Sequence, residues 1–125
     1  MEKREEYNEI ITTAVNRAGS SMKHFFELLN LDPELFKHLC EIDVRVEELN
    51  NSNAKYHSKE EHYITLSDTY LESLFSGLEE GVYTKQYVLN DIATSIIHET
   101  IHANRSVYVK DGNIKLNGIN YKEID

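Results

Sequence analysis

This 125-residue sequence contains one cysteine, one proline, no tryptophan and five glycines. A lone cysteine, Cys40, rules out an intrachain disulfide and a cysteine-rich zinc site. Its simplest role is that of a small apolar residue on a helix. Without a Pro/Gly-rich linker, an internal repeat or a low-complexity tract, residues 1–125 read as a single domain. That length buries a sizeable core without covalent or metal staples. Basic residues are also scarce: 13 Lys and Arg against 22 Asp and Glu, a formal net charge of -9. A nucleic-acid or anionic-membrane surface needs a concentrated basic patch. Here Lys3 and Arg4 sit among Glu2, Glu5 and Glu6. No apolar run approaches the ~20 residues of a spanning helix, and "MEKREEYNEI" has no apolar h-region. The expectation is a cytoplasmic protein that meets neither nucleic acid nor membrane.

What is present is strong periodicity. Ile10, Ile11, Ala14, Val15 and Ala18 recur at helical spacing and predict a first helix ending near Gly19, followed by a shorter helical piece at "MKHFFELL". Asp32 followed by Pro33 is an N-cap with proline at the first helical position, so a further helix is expected through "ELFKHLCE". The period then changes to two. In "IDVRVEEL", Ile42, Val44 and Val46 alternate with Asp43, Arg45 and Glu47, which marks a half-buried strand. "AKYH" and "HYITLS", flanking the polar "SKEE", read as a hairpin.

From Ser67 the helical period returns. Ser67 or Asp68 is placed to cap a helix that stops around Gly81, and Thr84 to cap the next, whose stripe is Val88, Leu89, Ile92, Ala93, Ile96, Ile97 and Ile101. "SVYVKDGNIKLNG" then predicts two short strands around Asp111-Gly112. The expected fold class is α+β: N-terminal helices, a small antiparallel sheet and one long helix.

That long helix carries "SIIHETIHANRS", residues 95–106, with His98, Glu99 and His102 forming an HExxH pattern. Positions i and i+4 share one helix face about a turn apart, so both imidazoles can be directed at one ion. Zinc prefers such nitrogen ligands at ~2.0–2.1 Å. Glu99, rotated by about 100° from His98, is placed to accept a proton from a water activated by the ion and pass it to a leaving amine.

"KYHSKEEHYITLSDTYLESL", followed after one helix by "IATSIIHETIHANRS", resembles the zincin-like metallopeptidases, in which an edge strand, a connecting helix and an HExxH helix come in this order. The resemblance covers about residues 42–106. It implies a zinc-dependent peptidase acting on a peptide or protein, with His98 and His102 as zinc ligands and Glu99 as general base. It also implies that "HYITLS" is the edge strand that pairs with an extended substrate. The longer metzincin pattern would need glycine at 105 and histidine at 108, where this chain has Arg105 and Tyr108.

No histidine follows His102, so the third ligand should be a carboxylate, as in the gluzincins. Asp111, Glu123 and Asp125 are the carboxylates available. Asp111 belongs to the turn, Asp125 is terminal, and Glu123 stands near the gluzincin spacing. The family's glutamate lies within a helix, whereas this sequence ends at "NYKEID". Either Glu123 acts at the start of a truncated helix, or the ligand lies beyond it. The alternative is a zincin-fold protein-binding module without a complete zinc site. Asp91 and Thr94 are candidates to support His98, and Arg105 for helix capping or substrate binding. Tyr108 and Tyr121 are candidates to donate to an oxyanion. His57, His62, His24 and His38 read as surface or structural residues.

Overall fold

One row of α1, a helix spanning Glu2–Leu28, sets its position in the fold. Ile10, Ala14, Ala18, Met22 and Phe26 succeed one another at i+4, and each is at most 1% exposed. The structure is a computed structural model and describes residues 2–32, 34, 37–57, 62–104, 109–110, 113–116 and 119–122. The expected break near Gly19 does not occur. Glycine weakens a helix by roughly 0.5–1 kcal/mol, less than the ~1.5–3 kcal/mol from burying a single large apolar side chain on either side of it. Gly19 is instead a packing position, where a Cβ would stand 2.2 Å from the carbonyl oxygen of Cys40. The helix ends at Leu28, and Asn30 beyond it, at φ 60°, takes the left-handed conformation common after a helix C-terminus. Asp32 Oδ1 accepts from the Glu34 N–H at 3.0 Å, but the α-helix expected through "ELFKHLCE" is described only as the single turn α2, Lys37–Cys40.

The strands β1 (Val44–Glu47), β2 (Ala54–His57) and β3 (Tyr63–Ser67) form a sheet in the order β1-β3-β2. β2 and β3 pair antiparallel, as the hairpin pattern predicted, but β1 and β3 run parallel. The sheet is therefore mixed, not antiparallel. Alternation reports which face of a strand is buried and carries no information about the direction of its partner. "HYITLS" supplies β3, which is the central strand and not an edge. Ile64, Thr65, Leu66 and Ser67 are all buried. The edges are β1 and β2.

Helix α3 (Asp68–Glu79) is capped by Ser67, whose side chain accepts from the Tyr70 N–H, and α4 (Lys85–Ala103) by Thr84 in the same way through Tyr87. Gly81, at φ 77°, ends the α3 segment as the sequence suggests. α1 packs chiefly along α4, and the sheet lies against α4 through β2 and β3. Ile64 and Leu66 join Ile10, Ala14, Phe75, Val88, Ile92 and Ile96 in the main core. Met22, Phe26 and Leu39 form a second cluster against Ile97 and Ile101. Among the described residues no helix is long and apolar enough to cross a membrane.

Near the C-terminus, β4 (Val109–Lys110), β5 (Asn113–Leu116) and β6 (Ile119–Lys122) pair antiparallel in that order. Lys110 faces Asn113 across the Asp111-Gly112 connection, as expected. The third strand was not anticipated, although Asn117-Gly118 between Leu116 and Ile119 is the same kind of hairpin signal.

Candidate metal centre

The rotation of α4 is set by Val88, Ile92 and Ile96, each 0% exposed. With that row turned inward, the stretch after it presents His98 on the exposed side and leaves Glu99 and His102 half-buried. The two imidazole centroids lie 4.5 Å apart with the rings tilted by 60°. This is the one-turn juxtaposition that the i, i+4 spacing requires. Neither imidazole nor the Glu99 carboxylate has a hydrogen-bond partner among the described residues. The adjoining Thr100 is buried and returns its hydroxyl to the Ile96 carbonyl at 2.8 Å, closing the helix on its inner side.

The donor chemistry and the spacing of the rings fit two positions of a zinc site. A third is not supplied: among the described residues no group of three or more His, Cys, Asp or Glu side chains is gathered. Glu123, Asp111, Asp125, Arg105 and Tyr108 lie outside the described residues. The chain leading to Glu123 is the strand β6 and not a helix, which departs from the gluzincin arrangement. Tyr121 belongs to β6.

Asp91 does not support His98. Its carboxylate accepts a hydrogen bond from the Tyr70 hydroxyl, which also lies 3.0 Å from Ser95 Oγ, while Ser95 donates to the Asp91 carbonyl. This half-buried network ties α3 to α4 one to two turns ahead of the motif. Tyr70 and Ser95 escaped the sequence reading because a single tyrosine in an amphipathic helix carries no signal of its partner. Thr94 is exposed. Burial pushes the Tyr70 phenol well above its ordinary pKa of 10.0, and its hydrogen bond to Asp91 pushes it further. The folded state thus favours the protonated phenol. Its contribution is fully present below pH 10.0 and is lost as the pH rises past that value, where the unfolded chain ionises first. Tyr70→Phe should cost about 1–2 kcal/mol by chemical denaturation at neutral pH, because Asp91 loses a donor. It should also reduce the alkaline loss of stability. An unchanged midpoint in both conditions would remove the network from the account of how α4 is held.

The hairpin histidines are not simply solvated. His57 stacks on Tyr63 at 4.3 Å, and its Nε2 lies 3.0 Å from Thr65 Oγ1. His62 is exposed, and its Nδ1 meets the Tyr56 hydroxyl at 2.7 Å. Tyr56 itself packs with Ile97 and Ile101 against the second cluster. Burial raises its pKa, and a hydrogen bond with Asn104, the C-cap of α4, opposes that rise. Tyr56 is thus a tyrosine held at the C-terminal end of the motif helix, one that the sequence reading did not single out. His24 is exposed, as expected, and the side chain of His38 lies outside the described residues.

Comparison of the chain with protein-family models, with curated proteins and with solved structures gave no match.

Proposed function

We propose that this protein is a zinc-dependent peptidase whose site is built on α4, with His98 and His102 as ligands and Glu99 as general base. The observation that carries the reading is the pair of imidazoles 4.5 Å apart on one face, without hydrogen-bond partners among the described residues and with a half-buried carboxylate beside them. When bound, zinc supplies Lewis acidity and lowers the pKa of a water toward ~7. His98 and His102 would hold the ion, and Glu99 would serve as general base, accepting a proton and passing it to the departing amine. Glu123 is the proposed third ligand. The partner is a peptide or protein segment. If it binds by strand addition, the edge nearest the motif helix is β2, because β3 is enclosed between its neighbours.

A second reading, a protein-binding module of the same fold without a working zinc site, draws on the absence of a third ligand among the described residues. The two separate on elemental zinc per chain, measured without chelator for wild type, His102→Ala and Glu123→Ala. About one zinc in wild type and little in either variant supports the peptidase site. Equal zinc in wild type and Glu123→Ala removes Glu123 as ligand. No zinc in wild type, even after addition, sinks the peptidase reading for this chain.

A further inference from the structure

β1 is an edge strand among the described residues, where it pairs with β3 alone. The Ile64 N–H donates to the Asp43 carbonyl at 2.8 Å, in a register that matches Val44 with Ile64 and Val46 with Leu66. In a parallel pair, alternate residues turn their main-chain groups toward the partner. Asp43, Arg45 and Glu47 therefore face β3, and the N–H and C=O of Val44 and Val46 face outward. Val46 is also 48% exposed.

Beside this edge lies a cleft of about 600 Å³ between α1 and α3. Val46, Tyr7, Ile11, Leu71 and Phe75 give it an apolar floor, with Tyr7 stacked on Phe75 at 4.0 Å. Its rim carries Asp68, Glu72 and Glu79, and no lysine or arginine is among the described lining residues. The Glu79 carboxylate accepts from the Tyr7 hydroxyl, and Asp68 Oδ1 from the Thr69 N–H at 2.7 Å, whereas Glu72 is exposed and has no partner among the described residues.

We propose that the β1 edge and this cleft dock an extended peptide segment of another protein, one that carries branched apolar residues and lysine or arginine two positions apart. Main-chain groups of the segment pair with Val44 and Val46. Side chains two apart fall on one face of an added strand, so an apolar one covers Val46 and Phe75 while the next, long and cationic, reaches Glu72 and Asp68. Charge selects this occupant over a second copy of the chain, which has a net charge of -9 and would bring a second acidic rim against the first. The site lies on the edge of the sheet opposite β2, so it is independent of the metal reading.

The test uses the full chain and two fluorescein-labelled peptides, Thr-Val-Thr-Arg repeated and Thr-Val-Thr-Glu repeated, followed by anisotropy and by amide NMR shifts. The cationic peptide should bind at least ~10-fold more tightly, more weakly as salt rises, with shifts centred on Val44–Glu47 and Phe75. Glu72→Lys should weaken it by roughly 5–10-fold. Val46→Pro should abolish binding but keep the fold, since its N–H is not used by β3 and an edge strand tolerates proline. A circular-dichroism melt checks that; should Val46→Pro unfold, Glu72→Lys still decides. Absence of binding, equal affinity for both peptides, shifts elsewhere or an inert Glu72→Lys overturns the proposal. So does concentration-dependent self-association of the wild type that Val46→Pro abolishes, because the edge would then belong to a second copy.

Discussion

Glu99→Gln is expected to lower peptide hydrolysis by roughly 10²–10⁴-fold, about 3–5 kcal/mol in the barrier, while zinc content stays at the wild-type level. The two imidazoles proposed as ligands stand 4.5 Å apart on the same face of α4, and neither is the residue changed. Glutamine keeps the size and half-buried packing of Glu99 but cannot accept a proton from water. The loss should therefore appear in turnover rather than in metal loading or in peptide affinity. His98→Ala makes the opposite separation, removing the ion first and the activity with it. The measurements are cleavage of a quenched-fluorescent peptide library and elemental zinc on the same samples. A Glu99→Gln protein that cleaves as well as wild type would take the general-base role away from this residue. A variant that loses zinc would make Glu99 a ligand.

Gly19→Ala is expected to destabilise the fold by about 2–3 kcal/mol, a fall of roughly 10 °C in Tm, although helix propensity alone predicts a gain near 1 kcal/mol. The sign turns on one contact. The added Cβ would meet the backbone oxygen of Cys40 at 2.2 Å. That oxygen cannot move aside like the end of a flexible side chain, because α2 is anchored by Leu39, which is 0% exposed against Met22 and Phe26. Relief requires α2 to shift off α1 and open the second cluster. Ser20→Ala, one position on and exposed, is the control: it changes propensity without the clash and should leave Tm unchanged or slightly raised. A higher Tm for Gly19→Ala would mean that α2 does not rest on α1 as described.

Much of this protein is legible in the order of residues alone, because the signals concerned are local. Capping by Ser67 and Thr84 needs only a side-chain oxygen near the first free amides of a helix, and both caps stand where the sequence places them. The HExxH spacing likewise determines that two imidazoles share a face, since 3.6 residues per turn is a property of any helix. The inward row of α4 follows from the period of its apolar residues, whereas in β1 the period locates the strand but not its burial, since Val46 is 48% exposed.

Tertiary structure decided the rest. Gly19 reads locally as a helix end, yet the row from Ile10 to Phe26 buries continuously against α4 and the second cluster, and that burial outweighs one glycine. The parallel pairing of β1 and the central place of β3 depend on where β2 carries the chain, which alternation cannot encode. Tyr70 reaches Asp91 across 21 positions of sequence, and only the packing of α3 on α4 brings them together. Periodicity and capping act over one or two turns and are written in neighbouring residues, whereas pairing partners, close approaches and buried networks arise between segments that meet only once the chain has folded.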